Sequence, residues 1–284
     1  MHPRSCFATP PDLKLLAQAF PDLRPLYACL LIDGSYLDYN DPNALRAVTR
    51  CYFKHFFGLT VAIPVDRLCP TLGNRLNYVL WLEDLVSETR LDDKPVVGLD
   101  VGTGATAVYP LLTIAQNKQW RMLATESDQR SFEAARDNLK QNSLSERIIL
   151  LKADVDAPIL LQHNAVISQP LNFVMCNPPF YTDEEEIATS AKLKGGAKSA
   201  AFIGSPSEMI TPGGEVAFTL RLFEESKALQ KRIQWYTTML GKLSSVEQLV
   251  GHLRSAGINN YVLHELTQGK TRRWVVGWSF APQR

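Results

Sequence analysis

Two rhythms divide the chain. From residue 11 to about 89 the apolar positions recur every three or four residues, and from about 96 onward short apolar runs alternate with helical stretches. The first part predicts three helices. They are "PPDLKLLAQAF", "DPNALRAVTRCYFKHFFG" with Asp41 as N-cap, Pro42 at the first helical position and Gly58 as the stop, and "NRLNYVLWLEDLVSET" capped by Asn74. Between the last two, "TVAIP" reads as a short strand. After the polar link "RLDDKP", the runs "VVGLDV", "WRMLATES", "RIILLKA", "LNFVMC" and "IQWYTTML" read as strands separated by amphipathic helices. Strand and helix in alternation predict an α/β fold, a mostly parallel sheet covered on both faces. The closing stretch "NYVLHELTQGKTRRWVVGWSF" folds back around Gly269 as a hairpin, which adds an antiparallel strand because a tight turn cannot join parallel neighbours. Residues 181–207 fit neither period, and their small and mixed-charge composition predicts a flexible loop. The expected organisation is a helical N-terminal region over 1–92, placed to bind RNA if the chain does so, and a catalytic domain over 93–284.

Composition narrows this picture in three ways. At 284 residues with 45% hydrophobic content, the chain can bury one large core or a core with a small appended module. With 30 basic against 29 acidic residues, no global field marks a nucleic-acid binder, so such a contact must come from a local patch. The five cysteines are scattered without a C-x-x-C pair, and neither they nor the five histidines have metal-ligand spacing. Reduced thiols inside a cell and no metal are expected. The N-terminus lacks an apolar signal segment, and "LYACLLI" is far shorter than the ~20 residues of a membrane span, so no membrane partner is expected.

The chemistry collects at strand ends. In "LDVGTGATAVYP" Gly102 and Gly104 permit a tight turn and close approach of a ligand, with Ala107 where a third glycine would stand. Taken alone this turn is equally compatible with a nicotinamide dinucleotide. Asp100 argues against that, because a carboxylate repels a pyrophosphate and attracts an amine. Glu126 ends the next strand, 24 positions after Gly102, where an acid can accept both hydroxyls of a ribose; helix capping is its ordinary alternative. Asp154 follows the third strand and could receive a purine amine, or be a simple turn aspartate. An amino acid end, a ribose and an adenine without phosphate describe S-adenosylmethionine.

"NFVMCNPPF" supplies the reactive group. An exocyclic adenine amine is a poor nucleophile because its lone pair is delocalised into the ring. Acceptors aimed at both its hydrogens, the Asn177 side-chain oxygen and the Pro178 carbonyl, localise that pair. Pro178 and Pro179 stiffen the backbone that aims the carbonyl, and Phe180 can stack on the base. Catalysis of this kind is positioning without a strong general base.

With these residues in place the sequence resembles the amino-methyltransferases bearing an Asn-Pro-Pro-aromatic motif. It is most similar to the methyltransferase-like protein 16 family of U6 small nuclear RNA N6-adenosine methyltransferases, whose relatives include bacterial large-subunit rRNA adenine-N6 methyltransferases. The likeness runs through "NDPNALRAVTR", "FGLTVAIPVDRLCPTLGNRLNYVLWLEDL", "LDVGTGATAVYPLL", "LATESD", "CNPPF", "WYTTMLGK" and "QGKTRRWVVGWSF". It implies a Rossmann-like class I fold, S-adenosyl-L-methionine as methyl donor with S-adenosyl-L-homocysteine as product, and a structured RNA with an exposed adenosine, first of all U6. A nuclear location follows, with the cytoplasm as a second place of action, and no obligate protein partner is implied. It also implies that Arg75 helps hold the methionine carboxylate, that Gly102, Thr106 and Glu126 line the cofactor, that Asn177 to Phe180 form the catalytic turn, and that Lys270, Arg273 and, less directly, Arg272 touch RNA. The chain departs from the animal members in having only Arg4 and Lys14 as basic residues near its start, and in lacking a lysine within "ADVDAP".

Overall fold

A computed structural model describes residues 1–23, 41–90, 92–193, 204–268 and 271–282. Helices α1 (Leu13–Ala19), α2 (Pro42–Phe57) and α3 (Leu72–Thr89) come first. Strand β1 (Val97–Val101), helix α4 (Val108–Gln116), β2 (Arg121–Glu126), α5 (Gln129–Gln141) and β3 (Ile148–Lys152) follow. A single turn of helix, α6 (Asn164–Ile167), leads to β4 (Leu171–Cys176), then α7 (Glu184–Leu193), α8 (Pro206–Met209) and α9 (Gly214–Leu229). The chain closes through β5 (Ile233–Leu240), α10 (Leu243–Ser255), β6 (Tyr261–Gln268) and β7 (Thr271–Trp278).

Among the described residues the strands form one seven-stranded sheet in the order β3-β2-β1-β4-β5-β7-β6. The first five of that order are parallel, and β7 runs antiparallel to both β5 and β6. The order reverses at β1, so the chain turns outward in both directions there and leaves a crevice at the carboxyl ends of β1 and β4. Residues of α3, α4 and α5 cover one face together with Met122, Phe173, Trp235 and Val275. Residues of α9 and α10 cover the other with Leu99, Leu123, Val174 and Trp278. Alternation along β1 thus sends Leu99 and Val101 to the second layer and leaves Gly98 and Asp100 facing the first. Gly98 is glycine because the Phe173 ring of β4 lies across it: a Cβ there would sit 2.1 Å from Phe173 Cζ.

Helix α2 begins and ends as its sequence predicts. The Asp41 side chain accepts from Asn43 N, and Gly58 closes the helix in the left-handed conformation at φ +69°. Three local expectations are corrected. Helix α3 starts at Leu72 with Thr71 as N-cap, and the Arg75 amide already donates to the Thr71 carbonyl at 3.3 Å, so Asn74 lies inside the first turn. "TVAIP" is extended but is no strand. Its partner is a helix face: Asn142 takes the Thr60 amide (2.9 Å) and gives to its carbonyl (2.7 Å), and Asn138 does the same for Ala62 at 2.7 and 2.9 Å. Four residues of helix rise about 6 Å and two of extended chain about 6.6 Å, so asparagines one turn apart match alternate extended residues. The expected loop over 181–207 contains helix α7. Asp183 accepts from the Glu186 amide at 2.8 Å, and Glu184, Glu185 and Glu186 lie at the positive end of its dipole. Residues 194–203 of that segment lie outside the described residues.

Candidate active site

The crevice is built on the turn after β1. Gly102 and Gly104 take φ of +70° and +68°, and Ala107, at the N-cap of α4, takes +51° without the freedom of a glycine. Three hydrogen bonds pin the turn to β2: Gly102 N to Thr125 Oγ1 (3.4 Å), Thr103 N to the Thr125 carbonyl (2.8 Å) and Gly104 N to Glu126 Oε2 (2.8 Å). Glu126 Oε1 accepts from Asp128 N at 2.8 Å, so one carboxylate braces both strand-end turns. Burial pushes the Glu126 carboxyl up, and the two amide donors oppose that shift.

A cavity of about 250 Å³ opens over this turn. Its wall brings together Arg75, Gly102, Gly104, Thr106, Glu126, Asp154, Asn177, Pro178 and Pro179. Following the sheet order, Asp154 stands beyond β3, Glu126 at β2, the glycine turn at β1 and Asn177 at β4. Arg75 enters from α3 with its guanidinium 5.9 Å from the Tyr109 ring centroid. Buried Thr106 Oγ1 and Asn177 Oδ1 have no hydrogen-bond partner among the described residues. Asp154 spends one oxygen on the Asp156 amide at 3.0 Å, closing its own turn.

Asp100 is placed differently from its neighbours. It is fully buried and does not reach the cavity wall. Neither of its oxygens is hydrogen-bonded among the described residues, and Thr103, although close enough to favour its charged form, makes no well-formed bond. Burial raises its pKa from the usual 3.8 to about 7, and Glu126 adds to the rise.

Phe180 also lies outside the cavity wall. Its ring rests against Gly241, where a Cβ would come within 3.4 Å, and the Arg273 guanidinium lies 5.4 Å from its centroid. The floor under it is held by Glu215, which is buried. Glu215 Oε2 accepts from Gly241 N at 2.7 Å, and Oε1 from Lys242 N at 3.0 Å and Ser245 Oγ at 2.6 Å. Lys242 then pairs with Glu186, tying this floor to the start of α7. The three basic residues expected to meet RNA are therefore not equivalent. Arg273 is half-buried on Phe180, Arg272 is exposed and 3.5 Å from Glu265, and Lys270 lies outside the described residues. In the N-terminal arm, Arg4 is engaged by Glu83 (3.0 Å) and Asp84.

Sequence reasoning missed the side chains that hold these parts. Arg67 is buried between Ser131 Oγ (2.9 Å), Asp66 (2.8 Å) and Asp128 (2.9 Å), and it locks the cavity-lining segment before α3 to the N-terminus of α5. Glu225 of α9 accepts from the amides of Ile159 and Leu160, both at 2.7 Å, and shapes the loop beyond Asp154. Neither residue sits in a motif, so only the three-dimensional contacts reveal them. Glu215 stood in plain sight after "GG", but its partners are 26 to 30 positions away. Among the described residues no group of His, Cys, Asp and Glu side chains is arranged to hold a metal, and no helix is long and apolar enough to cross a membrane.

A reversed-order parallel sheet, a glycine turn after β1, an acid ending β2 and an antiparallel C-terminal pair define a Rossmann-like methyltransferase of class I. The sequence signature of an RNA methyltransferase family matches residues 1–282, and the chain belongs to that family. Over 267 residues it is 39% identical to the U6 small nuclear RNA (adenine-(43)-N(6))-methyltransferase of Schizosaccharomyces pombe, covering 92% of this chain and 67% of that one. Its fold is similar to that of the human Mettl16 catalytic domain in complex with MAT2A 3′UTR hairpin 1, with a TM-score of 0.90 at 36% identity, covering 99% of this chain and 96% of that one. It is also similar to the N-terminal domain of human METTL16 in complex with SAH, with a TM-score of 0.81 at 35% identity, covering 99% of each chain. The chain spans about half the length of most of the vertebrate relatives it matches.

Proposed function

We propose that the protein transfers a methyl group from S-adenosylmethionine to the N6 amine of an adenosine in structured RNA, with U6 small nuclear RNA as its substrate. The observation that carries this reading is the Asn177–Pro178–Pro179 turn at the end of β4, which shares one cavity with the glycine turn and Glu126. The relatives' names point the same way: one acts on adenine 43 of U6, another is solved with an RNA hairpin, and a third with SAH. An RNA that is nuclear by name carries with it a nuclear place of action.

The residues present fit the methyl donor. Arg75 offers a cation to its carboxylate, Thr106 Oγ1 an unused hydroxyl, and Glu126 a carboxylate for its ribose hydroxyls. When bound, the donor supplies an electrophilic methyl carbon on a cationic sulfur. Asn177 Oδ1, unpartnered and on the cavity wall, and the Pro178 carbonyl accept the two N6 hydrogens and localise the lone pair that forms the new N–C bond. With the donor bound, the electron pair of the broken methyl–sulfur bond would stay on the sulfur, and Asn177 Oδ1 or the Pro178 carbonyl would lead the extra N6 proton away along its hydrogen bond. Phe180 rests against Gly241 with the Arg273 guanidinium over its ring, so the arginine moves aside for a base to stack there. Lys270, Arg272 and Arg273 remain nominated for RNA, with Arg273 acting on the ring of the turn.

Removing one preorganised acceptor of this kind costs ~10²–10³ in turnover. Asn177→Ala should lose that much in single-turnover methylation of a U6-derived RNA, while S-adenosylhomocysteine affinity and melting temperature stay near wild type. Near-normal methylation by folded Asn177→Ala protein overturns the mechanism. Loss of N6-methyladenosine from an RNA other than U6, on deleting the protein, overturns the substrate.

A further inference from the structure

Glu126 is not the only carboxylate on the cavity wall. Glu208, from the short helix α8, lines the same cavity and also approaches Gly104. Its two oxygens have different surroundings. Oε2 accepts three bonds, from Leu68 N (3.1 Å), Ser205 N (2.8 Å) and Ser205 Oγ (3.1 Å). Those contacts include the capping box that starts α8, and they account for a structural role in full. Oε1 takes part in none of them. It points toward Gly104, 3.8 Å from the position a Cβ would occupy there, and has no protein donor among the described residues. Glu126 Oε2 meets the same glycine from β2, on its amide at 2.8 Å. The negative charge of Glu208 is felt at Glu126, adding to the burial that raises that carboxyl.

Two carboxylates meeting at one glycine are unfavourable unless something with hydrogen-bond donors lies between them. A vicinal diol is such a group, since it offers two O–H donors and carries no charge to repel either acid. Beside the pair, Thr106 Oγ1 is more than nine-tenths buried, unpartnered and on the same wall, so the polar demand of this region is unmet by the protein itself. The segment bearing Glu208 is coupled to the catalytic turn as well. Tyr181 N donates to the Met209 carbonyl and Thr211 N to the Tyr181 carbonyl, both at 3.0 Å, one residue beyond Phe180.

We propose that Glu208 is a second carboxylate for the ribose of the cofactor, beside Glu126 at Gly104, accepting a ribose hydroxyl and thereby holding residues 205–212 beside the catalytic turn. The assignment rests on the reading of the cavity as an S-adenosylmethionine site. It extends that reading by making cofactor binding and the placement of the Asn-Pro-Pro-Phe turn one event.

The test is titration calorimetry with S-adenosylhomocysteine and its 2′-deoxy and 3′-deoxy forms, on wild type, Glu126→Gln and Glu208→Gln. Glutamine keeps the length and the carbonyl that caps α8, and a melting curve checks folding; Glu208→Asp, one methylene shorter, is the second variant. The Glu208→Gln affinity for S-adenosylhomocysteine should fall about 10-fold or more. For one of the two deoxy ligands, that fall should shrink below about 2-fold, because the partner hydroxyl is already missing. A fall of equal size on all three ligands, or no fall at all, overturns the proposal and leaves Glu208 a loop cap. Wild-type protein that fails to bind S-adenosylhomocysteine overturns the methyltransferase reading and this assignment with it.

Discussion

The carboxyl edge of the sheet has two halves that solve opposite problems. At the β1–β2–β3 half, charge and polarity are left unspent: among the described residues Asp100 has both oxygens unbonded and Thr106 Oγ1 has no partner, and Ala107 holds a left-handed backbone. At the β4–β5–β7 half the buried carboxylate is fully used. Glu215 takes three donors, Gly241 lets Phe180 approach, and Arg273 closes the ring from above. The first half resembles a site kept ready for a small polar ligand, whose contacts complete it. The second is a rigid seat for a flat ring, whose carboxylate is satisfied by the protein alone while Asn177 Oδ1, at the end of β4, is left for the substrate. Unmet polarity inside a fold costs stability, so the two halves should respond to mutation in opposite directions.

Asp100 gives the largest effect and the clearest sign. Its pKa is pushed up from 3.8 to about 7 by burial first, with Glu126 adding to it. Between those two values the folded chain holds a proton that the unfolded chain has lost. The contribution of this group to stability therefore falls as pH rises from about 4 to about 7 and levels off above that. The full span corresponds to at most roughly 4 kcal/mol. Asp100→Asn should be more stable than wild type at pH 8, equal to it near pH 4, and flatter between. Melting curves across that range check it, and a variant destabilised at pH 8 would mean that the ionised carboxylate is satisfied after all.

The opposite half should break rather than relax. Glu215→Ala leaves the Gly241 amide, the Lys242 amide and the Ser245 hydroxyl without their acceptor. A buried donor left unpaired costs about 1–3 kcal/mol; the Ser245 hydroxyl is buried and the two amides are partly so, and a loss of about 3 kcal/mol in urea unfolding is expected. Methylation should fall further than the folded fraction does, because the floor under Phe180 goes with it. A loss below about 1 kcal/mol would show that water replaces the carboxylate and that this half is less complete than its geometry indicates.

What could be read from sequence follows the same division. Asp41 and Gly58 bound α2 through contacts two to four residues away, and period alone locates the parallel strands. The glycine turn, Glu126 and Asn177 are legible because each sits at a strand end, where chain direction already fixes which edge they share. "TVAIP" misled because its hydrogen-bond partners are Asn138 and Asn142, 76 and 82 positions on, side chains that imitate a strand. The loop over 181–207 misled for a different reason. Its composition outweighed a legible signal, Asp183 three residues before Glu186. Asp100 was assigned a direct ligand contact from its place beside Gly102, but strand alternation turns it under the turn instead. Arg67, Glu208 and Glu225 act by joining segments distant in sequence, and no local pattern announces such a bridge.

Ala107 supplies the smallest effect and the finest test of whether the first half stores strain. An L-residue in the left-handed region costs about 1–2 kcal/mol, which glycine would not incur. Against this stand two losses. The methyl group is completely buried, worth about 0.8 kcal/mol, and glycine adds roughly 0.4–1 kcal/mol of freedom to the unfolded chain. The opposing terms are nearly equal, so Ala107→Gly should change the unfolding free energy by less than about 1 kcal/mol, read from the urea midpoint at an unchanged slope. An alanine in relaxed backbone with the same burial would show both losses and no relief, a destabilisation of about 1.5 kcal/mol. That larger loss in Ala107→Gly would mean the turn is packed rather than strained. A near-zero change would place strain beside the unpaired Asp100, on the side of the crevice that waits for its ligand.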